Sequence, residues 1–531
     1  MGRKLLAILI CTCLTLGMLT GCGEDNTGSA DNSSASDAGS DSQSSTPDSS
    51  QESDTDNAQT NADAEPVSLH LVLYGEATTR TTEFFANEFH EKVLNDLNID
   101  MTVEQMAWGT NDQMATRLAS GEKIGFMNMA TENDWAYKGL IAPIDRDLLE
   151  ELAPKYLESR GQYGFDCVTI NGEIVTLPLK SMPNSYAQQG FRVRNDILNQ
   201  VDWDVSKIKT YDDLMTAIAA VKEKFPDLYV ISYADSLFYT MFDAEYAPEG
   251  AIFNQLQNPL NSNGGLVVID EGQPDSDEII NWVETDYFAQ ICKMEEEWCR
   301  LGYLERDASF RERAATAWDS GNSLLNFGAQ TCIYDHKLGN VEGADVRYLN
   351  LSNHPTVLKL DYDWGIAVSS ADVDNVGNWL RFVNWMYSTK ENYMFCRHGV
   401  EGTDWEYNED GSVNKIMRDS LIHDWMTATA MYEELPEGTY DPAEVEAYWH
   451  SDDNCINSKA MGFSFDPTPV ETEAALLQAI CTEKLEPLTF GRGNFDEDFP
   501  PVLEELKAAG LDKYLEEYQR QFSEFMANKK K

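Results

Sequence analysis

The 531-residue chain predicts an α/β protein with mainly parallel sheets, and three observations carry that expectation. Short β-rich runs alternate with helical periodicity from Ser68 onward, the order of β-α-β units with right-handed crossovers. The 465 residues that follow Pro66 (531 less 66) suffice for two sizeable α/β lobes. Residues 500–526 carry one apolar stripe at helical spacing, formed by Leu511, Tyr514, Leu515, Tyr518, Phe522, Phe525 and Met526, so the C-terminal region is expected to be helical and core-facing.

The first 66 residues stand apart from that pattern. Arg3 and Lys4 precede an apolar run over residues 5–18, the length of a signal-peptide h-region and too short for the roughly 20 residues a membrane span needs. Leu19-Thr20-Gly21-Cys22 then resembles a bacterial lipobox, which implies a lipid-modified Cys22 at the start of the mature chain. Residues 23–66 contain eleven acidic residues, no Lys, no Arg and no aromatic residue. Such a segment buries too little apolar surface to offset the entropy of ordering it, and it is read as an extended acidic tether. The expected division is therefore 1–22 signal, 23–66 tether and 67–531 folded domain.

Within the folded part, "SLHLVLYG" is a first strand and "IDMTVEQMAW" a second. "QMATRLASG" is a short helix stopped by Gly121, and "KIGFMNMAT" a third strand. Two extended runs flank Pro178 and Pro183, followed by the periodic helix "TYDDLMTAIAAVKEKFP", with Thr210 or Asp212 near its start. "NSLLNFGAQTCIY" and "DYDWGIAVSS" begin with strands, and "VGNWLRFVNWMYS" is an amphipathic helix whose Trp379 and Trp385 belong to the core.

Composition narrows the function. The net charge is −52, and removing the eleven tether acids and the two N-terminal bases leaves −43 on the folded part. Nucleic acid is disfavoured, because binding it needs a basic face. Of the ten cysteines, Cys11 and Cys13 fall in the signal and Cys22 in the lipobox. Cys167, Cys292, Cys299, Cys332, Cys396, Cys455 and Cys481 remain, an odd number without a C-x-x-C pair, and read mostly as partly buried thiols. No H-E-x-x-H, G-x-S-x-G or P-loop pattern occurs. Asp270, Asp275, Asp277 and Glu278 lack the alternating order of a calcium loop and read as a solvated acidic turn. Neither a catalytic set nor a cofactor or metal site is expected.

Several segments carry a family resemblance. "RLASGEKIGFMNMA" is similar to an L-x-S-G-x-x-x-D segment, with Gly125 where Asp is usual. "WAYKGLIAPIDRDLLEELAPKYLE" and "NGEIVTLPLKSMPNSYAQQGFRVRNDIL" follow it in the same order, and then "IKTYDDLMTAIAAVKEK". The chain resembles the family 1 extracellular solute-binding proteins, the group that includes maltose-binding protein. "CRHGVEGTDWEYNEDG", "GFSFDPTPVETEAA" and "LKAAGLDKYLEEYQRQFSEF" resemble the extension of a mainly Gram-positive, LipO-like lipoprotein branch. The resemblance implies a two-lobed periplasmic-binding-protein-like fold of class II, each lobe a mainly parallel sheet flanked by helices. Lobe 1 is expected at about 67–183 plus about 362–400, and lobe 2 at about 190–355 plus parts of the C-terminal region. It further implies a monomeric, lipid-anchored receptor on the outer face of the membrane. That receptor would take a carbohydrate and deliver it to the permease of an ABC importer. A surface glycan-binding lipoprotein without a transporter, a receptor for a peptide or other polar solute, and a glycan-acting enzyme are the alternatives.

Sugars offer C–H faces to aromatic rings and hydroxyl rims to polar side chains. In open α/β sheets the ligand lies beyond the C-terminal strand ends. That rule selects Glu76 after the first strand, together with Thr78 and Thr79, then Trp108 and Asn111 after the second, and Thr131, Asp134 and Trp135 after the third. Asn184 and Tyr186 lie at the crossover, Tyr239, Phe327 and Gln330 in the second lobe, Trp364 in the return strand, and Glu401 and Trp405 in the branch-specific stretch.

Overall fold

The computed structural model describes residues 65–129, 134–161, 164–181, 190–231, 248–256, 266–304, 316–327, 336–338, 341–351, 355–358, 364–409, 411–417, 421–432 and 442–529. Residues 1–64, which hold the expected signal and all but the last two residues of the expected tether, lie outside them, as does Cys332.

Nine strands build the two principal sheets: β1 (Val67–Tyr74), β2 (Ile99–Met106), β3 (Gly125–Met129), β4 (Leu177–Pro178), β5 (Phe191–Arg194), β6 (Tyr229–Ile231), β7 (Ser323–Phe327), β8 (Val346–Leu349) and β9 (Trp364–Val368). The first sheet has the order β2-β1-β3-β9-β4. β1 runs parallel to β2 and β3, as the β-α-β-α-β reading expects. β9 runs antiparallel to both β3 and β4. The second sheet has the order β8-β5-β7-β6, in which β7 is parallel to β6 while β5 is antiparallel to β7 and β8. Both sheets are thus mixed rather than mainly parallel. A strand that re-enters a sheet from a distant part of the chain need not arrive in the direction a crossover helix imposes.

Each sheet lies in its own apolar core. The first core gathers Leu71, Phe126, Ile366, Trp379 and Phe382, and extends to Trp405, Leu421 and Met426. The second gathers Val193, Ile218, Trp282, Trp298 and Leu325 with Leu477, Tyr514, Tyr518 and Phe522 of the C-terminal helices. The apolar stripe over residues 511–526 therefore completes the second core, in helix Leu511–Lys529. Thr210 caps helix Tyr211–Lys224 with a reciprocal bond pair to Asp213, which supplies two otherwise orphaned helix-end groups with partners. Trp379 and Trp385 are both buried, in helix Val376–Met386. Cys292, Cys396 and Cys481 are buried thiols, and burial pushes the Cys481 thiol up to about 12.

Close approach in the first sheet depends on Gly365. A side chain there would place its Cβ 2.3 Å from the Leu177 carbonyl oxygen, so only glycine lets β9 lie against β4. Its neighbour Trp364 is thereby delivered opposite Met129, at the C-terminal end of β3.

Two polar devices bind the late segments of the chain to the sheets. The Lys459 ammonium donates to three carbonyls of the acidic turn, those of Asp270 (2.9 Å), Gln273 (3.0 Å) and Ser276 (2.9 Å). The Lys459 backbone N–H donates to Glu271, which also accepts from Ser458 and Asn254. The turn is solvated at its acidic side chains, with Asp275, Asp277 and Glu278 exposed, while its backbone carbonyls close around the Lys459 ammonium. In the first lobe, Arg80 donates two 2.7 Å bonds to Asp404 and one 2.9 Å bond to Glu88. Asp404 is 2% exposed and also accepts from the Val400 N–H.

Burial pushes the Asp404 carboxyl up, but the Arg80 guanidinium and the Val400 N–H outweigh it and hold the group below the ordinary aspartate value of 3.8. A carboxylate with a depressed folded pKa stabilises fully above its unfolded value, and that contribution disappears as pH falls through the folded value. Urea unfolding of the wild type and of Asp404→Asn, measured from neutral pH down through pH 3.8, should converge at the acid end and separate above it. A constant difference across that range would exclude Asp404 as a source of the acid sensitivity.

Candidate functional site

The strand ends of the first sheet bring four rings together. β1 ends in Tyr74, the turn after β2 carries Trp108, and β9 begins at Trp364. Trp108 stacks on Tyr74 with centroids 5.7 Å apart and meets Trp364 edge-on at 5.8 Å. Tyr74 and Trp364 are 6.4 Å apart. His423, just before the short helix Asp424–Thr427, completes the group 5.4 Å from Trp108. Tyr74 and His423 are buried and Trp364 is half-buried, whereas Trp108 is 48% exposed. An indole left half in solvent, yet supported by three rings, is a platform that a ligand with an apolar face can cover at small ordering cost.

Polar groups stand around this edge. Glu76 is exposed in the loop after β1, and Thr78 caps the following helix by accepting from the Thr81 N–H at 3.2 Å. Asn111 is exposed at the first position of helix Asn111–Ala119. Further back on that helix, Arg117 is held between Glu104 and Glu122, at 2.9 and 2.6 Å. The Arg117 pairing outweighs burial and lowers the Glu122 carboxyl. That arginine is a strut between helix and strand, engaged on both sides.

Residues 459–527 match the family described as Domain of unknown function (DUF3502). That stretch begins at the cation of the acidic turn and includes the helices that finish the second core. Over 513 residues the chain is 24% identical to a protein named carbohydrate ABC transporter substrate-binding protein from Streptococcus pneumoniae serotype 4 (strain ATCC BAA-334 / TIGR4), covering 90% of this chain and 94% of that one. The crystal structure of the N-glycan transport solute binding protein NgtS from Streptococcus pneumoniae superposes with a TM-score of 0.66 at 20% identity, covering 87% of this chain and all of that one. Its complex with Man5GlcNAc gives 0.65 at 19% identity, covering 87% of this chain and 99% of that one. The chain is similar to substrate-binding proteins of ABC transporters in sequence and shares the fold of the solved solute-binding proteins.

The residues selected from strand ends separate into groups. Trp108 and Trp364 converge on the platform, with Glu76 and Asn111 exposed on the loop and helix that follow β1 and β2. Trp135 is 5% exposed and packs on Phe126 with centroids 5.8 Å apart, so its ring is occupied by the core. Trp405 is likewise buried; its indole N–H donates to the Gly399 carbonyl at 3.0 Å and its ring meets Tyr407. Glu401 is exposed in the bridge that closes that turn. Thr131, Asn184, Tyr186, Tyr239 and Gln330 lie outside the described residues, as do the side chains of Asp134 and Phe327. Tyr74 and His423 were not selected from the sequence. Tyr74 closes an apolar strand and looks like core, and His423 has no local pattern at all.

The exposure difference separates binding from folding. If Trp108 is a ligand platform, Trp108→Ala should leave the apo melting temperature within error while weakening ligand binding by roughly 1.5–3 kcal/mol, the apolar burial of one stacking ring. Trp135→Ala should instead cost about 3–5 kcal/mol of folding stability, the usual effect of emptying a core ring site. Calorimetric titration and urea unfolding of both variants check this. A Trp108→Ala variant that melts early and binds normally would make Trp108 a packing residue.

Proposed function

We propose that this protein is the extracellular receptor of an ABC importer for a carbohydrate, captured between its lobes and passed to the permease. The half-exposed Trp108 indole, backed by Tyr74, Trp364 and His423 at the C-terminal edge of the first sheet, carries this reading. It is the place where a parallel α/β sheet holds its ligand, and its chemistry suits the C–H face of a pyranose. The relative named for carbohydrate transport and the NgtS complex with Man5GlcNAc support the same ligand class. Such a receptor needs no catalytic groups; its work is done by closure, which ligand favours only as far as it touches both lobes.

Anchorage at the outer face of the membrane follows from Leu19-Thr20-Gly21-Cys22 and the acidic tether behind it. Two or more acyl chains on Cys22, each methylene contributing about 0.8 kcal/mol when buried, would hold the protein at the membrane without a spanning helix. Among the described residues no helix is long and apolar enough to cross a membrane.

A thermal-shift screen tests the ligand class. Bound ligand stabilises by RT ln(1 + [L]/Kd), about 2.7 kcal/mol at a hundredfold excess over Kd. Man5GlcNAc, or a smaller mono- or oligosaccharide in the panel, should raise the melting temperature, and di- and tripeptides should not. The opposite pattern would move the protein to peptide capture.

The anchor is tested separately. Cys22→Ser should shift the protein from the detergent phase to the medium, or leave it unprocessed, without changing the melting temperature of the folded domain. Wild-type protein recovered free of lipid with residue 22 intact would exclude the anchor.

A further inference from the structure

One ring of the aromatic group comes from a segment more than 300 residues from Trp108 in sequence. His423 is buried, and its Nε2 lies 2.5 Å from the Tyr74 carbonyl oxygen. A carbonyl only accepts, so Nε2 carries the proton and donates. The bond pins the imidazole to the last residue of β1, where the ring lies 5.4 Å from Trp108 at an angle of 42°. Gly75 follows with φ at +149°, a backbone conformation that side chains rarely adopt, and a Cβ there would only touch the imidazole, 3.4 Å from His423 Cε1. The His423 backbone is fixed in turn. Its carbonyl accepts from the Met426 N–H (2.9 Å), the Thr427 N–H (3.1 Å) and the Thr427 hydroxyl (3.0 Å). Thr427 itself accepts from Arg397 at its hydroxyl and from Tyr387 at its carbonyl.

Trp108 sits in a short turn with half of it facing solvent, and its ring meets Tyr74, Trp364 and His423. We infer that His423 is a positioning residue of the binding site: through its Nε2–H bond to Tyr74 it holds the imidazole as the support that sets the Trp108 ring for stacking. The inference deepens the carbohydrate reading and rests on Trp108 being the stacking ring.

A precise consequence follows from which nitrogen is used. The amide nitrogen of Gln can occupy the place of Nε2, whereas that of Asn corresponds to Nδ1 and falls short of Tyr74. Three variants in the full chain, His423→Ala, His423→Asn and His423→Gln, are compared by two readouts. The first needs no ligand. With 5-fluorotryptophan incorporated, the Trp108 fluorine resonance, assigned by its loss in Trp108→Phe, should shift or broaden in the Ala and Asn variants and return toward wild type in Gln. The second is calorimetry with Man5GlcNAc. His423→Ala should weaken binding about tenfold, the size of a coupling between residues in contact. It should have no further effect in the Trp108→Ala background. An unchanged Trp108 resonance in His423→Ala overturns the inference, as does an equal loss of affinity with and without Trp108. If Man5GlcNAc fails to bind the wild type, the ligand assignment fails, and the fluorine readout alone still decides the positioning role. If His423→Ala does not fold, the contrast between Asn and Gln decides it.

Discussion

The strand Trp364–Val368 is seated between Gly125–Met129 and Leu177–Pro178, antiparallel to both, and much of the first lobe depends on that seat. It adds Ile366, Ala367 and Val368 to the middle of an apolar core. It leads directly into Ser369, whose hydroxyl donates to the Glu122 carbonyl and accepts from the Ile124 N–H, closing the loop before β3. It also brings Trp364 to the one edge where β1, β2 and β3 all end. The condition for this is small: the residue after Trp364 must lack a side chain, because the Leu177 carbonyl occupies the space a Cβ would need. A substitution at Gly365 would disturb core packing and platform geometry together, since a packed interior transmits such strain.

The late parts of the chain act as fasteners rather than as an appended module. Asp404 secures the turn around Trp405 to the helix after β1 through Arg80, and Lys459 secures the start of the DUF3502 match to the acidic turn of the second lobe. Both join a charge to several fixed partners at low exposure, the setting in which charged hydrogen bonds contribute more than exposed ion pairs do. The many exposed pairs elsewhere, such as Lys155 with Glu158 or Arg520 with Glu524, contribute little beyond solubility. Charge in this protein is therefore best understood locally. The net charge of −52 bears on solubility, while the buried Lys459 and the Arg80 pair with buried Asp404 each tie a late segment to an earlier one.

The aromatic cluster at the end of the first sheet has a similar plan. The half-exposed Trp108 indole packs against three less accessible rings. Ordering a flexible aromatic on binding would subtract from affinity, so a ring whose support is already packed retains more of the burial energy. The support comes from β1, β9 and residue 423, segments far apart in sequence.

Several features of the protein were legible from residues alone. Alternation and periodicity revealed the first three strands, the helices at Tyr211–Lys224 and Val376–Met386, and the core-facing stripe of the last helix, because burial writes a repeat into the local sequence. The strand-end rule selected Trp108, because topology fixes where parallel strands finish, whereas Trp364 lies beside it because β9 runs antiparallel and starts where β3 ends. Strand direction was not legible: β9 and β5 look like any other strand, and only their partners make the sheets mixed. Burial of individual rings was not legible either. Trp108 and Trp135 both follow a strand, yet one faces solvent and the other fills a space against Phe126. Lys459 within the acidic turn and His423 beside Trp108 left no local trace. Periodicity records which face of an element is buried, whereas a hydrogen bond between residues distant in the chain depends on where two elements come to lie, and that is set only when the chain has folded.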